Sequence, residues 1–241
     1  SDTAGMKTTM KANPIIVALD VESADEARAL VARLGSHVDF YKVGMELYAA
    51  AGMPIVHELL DRGKQVFLDL KLYDISETVK RTVAQVSRTG VRFLTVHAVG
   101  SVMRAAVEGK GAHDLDVLAV TVLTSFGRED LDDLGYSCEV SDMVAVRTRQ
   151  ALAAGVNGIV ASPREAAAVR RIAGPRTILV TPGVRSAGRA TGDQKRVATP
   201  AEAIRDGADY LVIGRQITRA TDPAAEAEHI LEELAGVCES S

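Results

Sequence analysis

From Pro14 onward, short β-branched hydrophobic runs alternate with Ala-rich stretches whose apolar residues recur at helical spacing. The runs read as strands: IIVALD (15–20), FYKVG (40–44), VFLDLK (66–71), RFLTVHA (92–98), VLAVTVLT (117–124), NGIVAS (157–162), TILVTPG (177–183) and YLVIG (210–214). Between them lie the helical patterns SADEARALVARLG, MPIVHELLDRG, SETVKRTVAQVSRTG, VSDMVAVRTRQALAAG, SPREAAAVRRIAG, TPAEAIRDG and DPAAEAEHILEELAG. Ser23 is placed to cap the first of these and Gly35 to end it, while Pro54 falls in a first turn. Repeated β/α units of about 30 residues predict a closed (β/α)₈ barrel rather than an open sheet. No linker or low-complexity segment interrupts residues 14–241, so one domain is expected, with residues 1–13 as a disordered tail.

Barrels of this kind gather their chemistry at the C-terminal ends of the strands. Here those ends carry Asp20, Lys42, Asp69 with Lys71, His97, Thr124, Ser162, the group Pro182 to Arg185, and Gly214 with Arg215. The third run continues as FLDLKLYDISETV, a hydrophobic strand burdened with Asp69, Lys71 and then Asp74. Residues two apart on a strand share a face, so Asp69 and Lys71 project together. An isolated acid–lysine pair is an ordinary ion pair. With Asp20 and Lys42 ending neighbouring strands, however, as many as five charges are expected at one barrel mouth. Apolar residues would hold a fold as well as such a network does, so its presence points to function. Alternating lysines and carboxylates keep one another ionised and leave an ammonium as proton donor.

The seventh and eighth ends, VTPGVR and VIGR, occupy the place where many (β/α)₈ enzymes bind phosphate. Gly214 lets a ligand approach the backbone, and Arg215 offers a planar fork of donors. The stretch RSAGRATGDQKR (185–196) is long for a β/α connection and reads as a lid over that phosphate, with Gln194 reaching the ligand. The five histidines show no metal-ligand spacing, and His97 has no Cys or carboxylate partner nearby in sequence. GKGAHD (109–114) lacks the ending of a phosphate loop, and EDLDD (129–133) reads as a solvated turn.

Composition narrows the picture. The chain has 241 residues, 47% hydrophobic and 25% charged, with net charge −4 and a pI near 5.8, so it is expected to have a sizeable core and no nucleic-acid partner. Cys138 and Cys238 match no metal or redox spacing and read as reduced thiols of a cytoplasmic protein. No run is long and apolar enough for a membrane span.

The motif Asp69-Leu70-Lys71-Leu72-Tyr73-Asp74 reads DxKxxD, and around it ALD, YKVG, TVLTS, VTPGVR, GDQ and VIGR follow in order. With these the chain resembles the orotidine 5′-phosphate decarboxylases, from about Pro14 to the last helix. The resemblance implies a cofactor-free, metal-free carboxy-lyase of pyrimidine synthesis, acting as a homodimer. In it, Lys71 would protonate C6 of the substrate, and Lys42, Asp69, Lys71 and Asp74 would surround the departing carboxylate. Asp74 and Thr78 would reach the partner's site; Ile75 would join them in contacting substrate. Asp20 and Lys42 would meet the ribose, Thr124 the pyrimidine, and Arg185, Gln194, Gly214 and Arg215 the phosphate. The chain departs from the family at Tyr73 and Ser76, where His and Pro are usual, and at Glu77, where Asn is familiar. Two other readings remain open from the residues: a Mg²⁺-dependent decarboxylase or aldolase acting on a sugar phosphate, and a barrel that binds a phosphorylated ligand without turning it over.

Overall fold

The structure, a computed structural model, describes residues 13–189 and 198–239. Eight parallel strands close on themselves in chain order: β1 (Ile15–Ala18), β2 (Phe40–Val43), β3 (Gln65–Leu72), β4 (Phe93–His97), β5 (Asp116–Val120), β6 (Gly158–Val160), β7 (Ile178–Pro182) and β8 (Tyr210–Ile213). The ring is sealed where β1 pairs with β8, Val17 opposite Ile213. Around it run helices α1 (Ala24–Leu34), α2 (Met45–Asp61), α3 (Ser76–Ser87), α4 (Gly100–Lys110), α5 (Arg128–Asp133), α6 (Val140–Ala154), α7 (Pro163–Ala173), α8 (Pro200–Arg205), α9 (Arg215–Thr218) and α10 (Pro223–Glu239). The expected barrel is therefore the fold.

The period-two alternation of each strand builds two cores. Ile15, Val17, Tyr41, Val43, Leu68 and Leu94 face outward and pack under the helices. Ile16, Ala18, Phe40, Phe67, Phe93, Tyr210 and Val212 face inward and fill the barrel. Phe93 lies at the centre of an aromatic floor, with ring centroids 5.1 Å from Phe40, 5.9 Å from Phe67 and 5.2 Å from Tyr210. Tilted and edge-to-face pairs of this kind add about 0.5–1.5 kcal/mol each beyond the area they bury. Continuing the inward parity upward from this floor gives Asp20 above Ala18, Lys42 above Phe40, Asp69 and Lys71 above Phe67, and Thr95 above Phe93. The same alternation that fills the bottom with rings fills the mouth with charge.

Local signals behave largely as expected. Ser23 caps α1 by accepting from the Glu26 amide, Gly35 ends it, and Thr199 with Glu202 forms a capping box on α8. Four expectations need correction. Most strands are shorter at their C-terminal ends than their hydrophobic runs; β5 stops at Val120 because β6 offers it only three partners, Gly158 to Val160. The second helix begins at Met45 rather than Met53, and a break at Gly52 (φ 61) leaves Pro54 near the start of its second half. Residues 129–133 belong to α5, which buries Leu131, rather than to a solvated turn. Finally, α4 occupies a stretch given no helix above: its Gly109 presses so closely on α3 that a Cβ would lie 2.2 Å from the Lys80 carbonyl oxygen.

Candidate active site

Four charges alternate across the barrel mouth. Lys42 Nζ lies 3.8 Å from Asp20 Oδ1 and 3.6 Å from Asp69 Oδ2, and Lys71 Nζ donates to Asp69 Oδ2 at 2.8 Å. Thr95 completes the cradle by donating its hydroxyl to Asp69 Oδ1 at 2.7 Å. Asp69 is only 6% exposed, and burial alone would push its carboxyl up; Lys42 and Lys71, with the hydrogen bonds from Lys71 and Thr95, outweigh that and hold it below the usual carboxylate value. Asp69 is thus a buried carboxylate kept ionised by two ammonium groups.

Lys71 has φ 47, and it is the one non-glycine residue with positive φ among the described residues. Its strand shifts register against β4 between Leu68 and Leu72. A non-glycine residue held in this region costs about 1–3 kcal/mol and persists where its surroundings over-determine it. Here the Lys71 amide donates to Thr95 Oγ1 at 3.0 Å while its ammonium is held by Asp69. Thr95 was missed from sequence. Its signal was available: a polar residue at the inward parity between Phe93 and His97.

On the other side of the mouth, a cavity of about 610 Å³ is lined by Asp20, Gly183, Arg185, Gly214 and Arg215 among others. Neither Arg185 nor Arg215 pairs with a carboxylate among the described residues. Burial, then the neighbouring Arg215 charge, lower the Arg185 pKa. Two like charges lining one cavity, with no carboxylate partner among the described residues, suit a multiply charged anion. At Gly214 the nearest atom to an added Cβ would be Ala18 Cβ at 3.9 Å, so the space beside that backbone belongs to the cavity. Asp20 belongs to both the cavity and the charge array, which therefore adjoin.

The model of the family described as orotidine 5′-phosphate decarboxylase / HUMPS matches residues 13–230. The chain belongs to this family. It is 54% identical over 221 residues to an orotidine 5′-phosphate decarboxylase of Rhodopseudomonas palustris (strain HaA2), covering 92% of this chain and 94% of that protein. It is 52% identical to one from Caulobacter sp. (strain K31), covering 95% and 100%. Among solved structures, the orotidine 5′-phosphate decarboxylase of Lactobacillus acidophilus superposes with a TM-score of 0.82 at 33% identity, covering 92% of this chain and 99% of that one.

The remaining residues of the family pattern fall in three places. Asp74 does not join the array of its own chain. It accepts from the Ile75 amide at 2.6 Å and pairs with no cation among the described residues, so four charges converge here rather than five. Residues 73–78, including Ile75 and Thr78, are all exposed, Tyr73 by 67% and Ile75 by 75%. Thr124 sits in a turn beyond the end of β5, on a second cavity of about 520 Å³ lined also by Thr121, Phe126, Arg128 and Ser162. Gln194, with residues 190–196 of the proposed lid, lies outside the described residues. No three His, Cys, Asp or Glu side chains are grouped to hold a metal among the described residues. In the array, the Lys42 ammonium lies between the Asp20 and Asp69 carboxylates.

Ser76 takes the first helical position of α3, preceded by Ile75 at φ −54, ψ 137. That is a site proline fits, with a preceding residue already in the conformation proline favours. Ser76→Pro is expected to stabilise the fold by about 0.4–1 kcal/mol, read as a higher midpoint in urea unfolding.

The His97 ring stacks edge-on against Tyr73, with centroids 5.4 Å apart. Burial first, then the charges of Arg147 and Lys71, lower its pKa below 6.5. It is neutral at pH 7. Because the unfolded chain takes up this proton more readily, the residue's contribution to stability falls as the pH drops below the unfolded value and levels off below the folded one. NMR titration of the His97 ring should give a midpoint below 6.5; a midpoint at or above it would contradict this environment.

Proposed function

We propose that this chain decarboxylates orotidine 5′-phosphate to UMP in de novo pyrimidine synthesis, with no cofactor or metal. The observation that carries the reading is the alternating array Asp20, Lys42, Asp69, Lys71, with a buried carboxylate hydrogen-bonded to the ammonium of Lys71. Breaking the bond from C6 to the carboxylate leaves the electron pair in the plane of the ring, beyond reach of the π system. Lys71 stabilises that developing charge and then transfers an Nζ proton to C6, recovering a proton from water afterwards. Asp69 disfavours the bound carboxylate more than the transition state in which CO₂ is leaving. Lys42 keeps Asp69 ionised while, with Asp20, it meets the ribose. Thr124 contacts the pyrimidine.

Enzymes lower barriers by about 8–23 kcal/mol, more than one lysine contact can supply. Binding energy from the remote phosphate, held by Arg185, Gly214 and Arg215, makes up part of the difference. The chain works as a homodimer in which Asp74 and Thr78, with Ile75 beside them, complete the partner's site. The exposed segment from Tyr73 to Thr78, with two large apolar side chains at the edge of the mouth, supports this placement. The compartment is the cytoplasm, where the free thiol of Cys138 stays reduced. The test is the product: incubation with orotidine 5′-phosphate should release UMP and CO₂ in equal amounts. Tight binding with neither product would refute catalysis.

A further inference from the structure

Two residues outside the family motif join the phosphate side of the site to the outer helices. Ser186 follows Arg185, and Gln216 follows Arg215; they are 2% and 8% exposed, and they are bonded to each other twice. The Ser186 amide donates to Gln216 Oε1 at 2.9 Å, and Gln216 Nε2 donates back to Ser186 Oγ at 2.9 Å. The second Nε2 hydrogen goes to Glu226 Oε1 at 3.0 Å, and Ser186 Oγ donates to Glu233 Oε2 at 3.3 Å. Glu226 in turn receives both prongs of Arg189, at 2.7 and 3.1 Å. Both Nε2 hydrogens and the Oε1 of the Gln216 side chain are engaged. A buried network so fully satisfied fixes geometry sharply.

What it fixes is the spacing of two arginines that repel each other. Arg185 and Arg215 line the same cavity, and neither has a carboxylate among the described residues to hold it. Left to local preference, the segment after β7 and the short α9 would drift apart and separate the two guanidinium groups. Cross-linking Ser186 to Gln216 binds the neighbouring backbone of each arginine to the other.

We propose that Gln216 is a positioning residue for phosphate recognition: through Ser186 and the Glu226–Arg189 pair, it sets the separation of Arg185 and Arg215 to suit one phosphate dianion. This rests on the reading of that cavity as the phosphate site. The consequence is selective, since a substrate without phosphate gains nothing from the clamp.

The experiment measures kcat/KM of the full chain on orotidine 5′-phosphate and on orotidine, for wild type, Gln216→Leu and Ser186→Ala. Leucine keeps about the same volume and removes every bond that the Gln216 amide makes. Gln216→Leu should lose about tenfold or more on the phosphorylated substrate, chiefly through KM, and change little on orotidine. Ser186→Ala, a milder cut that keeps the fold, should show the same selectivity at smaller amplitude. Equal losses on both substrates would mark Gln216 as structural only and overturn the proposal. Arg215→Ala separates the two levels. A large phosphate-specific loss there, with none for Gln216→Leu, sinks the clamp alone, whereas no loss there removes the phosphate site and the clamp with it.

Discussion

Chains carrying Lys71→Ala and chains carrying Asp74→Ala are each expected to lose at least about 10³-fold in turnover of orotidine 5′-phosphate, because under the proposed function each removes a charge that acts on the reacting carbon or its carboxylate. Mixed after unfolding and refolding together, they should regain activity. In a two-fold dimer with shared sites, half the molecules are hybrids, and each hybrid has one site with both residues intact, so about a quarter of wild-type activity is expected. The prediction is severe because the two residues behave so differently within one chain. Lys71 is pinned by Asp69 and Thr95, whereas Asp74 is exposed and ion-paired with nothing among the described residues. Failure of the mixture to recover, with both parents folded, would place Asp74 in its own chain's site or outside catalysis.

The second large effect is at Arg215. The side chain is exposed, opens α9, and has no carboxylate partner among the described residues, so its removal should leave thermal stability unchanged. Its loss should nevertheless reduce kcat/KM for orotidine 5′-phosphate by about 10²-fold or more, the value of one or two charge-assisted hydrogen bonds of about 1.5–3 kcal/mol each. Removing it also relieves Arg185 of a repulsive neighbour. Arg185 alone would then hold a dianion designed for two cations. Steady-state kinetics beside a thermal melt checks both halves of this expectation.

Much of the site was legible because inward parity on a strand is a two-residue rule. Ile16, Ala18 and Asp20 follow it, as do Phe40 with Lys42 and Phe67 with Asp69, so the residues that floor the barrel also point to those that rim it. Parity does not say where the strand stops. That depends on the neighbour, which is why Thr124 lies in a turn past Val120 rather than on β5. Nor does it register the backbone at Lys71, whose positive φ depends on a threonine 24 residues further on. Asp74 lies two residues past the end of β3 at Leu72, and within its own chain it pairs with no cation among the described residues, so parity along the strand does not reach it. No helix was expected over α4, where Gly109 is the condition for close packing on α3. Contacts such as Ser186 with Gln216 join residues 30 apart on different β/α units, and the parallel pairing of β7 with β8 brings them together.

Under the proposed function, this array of ammonium and carboxylate groups removes CO₂ from orotidine 5′-phosphate unaided. The loss of the substrate's ultraviolet absorbance with the wild-type chain in excess EDTA tests this. Full turnover is expected, unchanged by EDTA and not increased by added Mg²⁺. Turnover that vanishes in EDTA and returns with Mg²⁺, or no turnover at all, would contradict it.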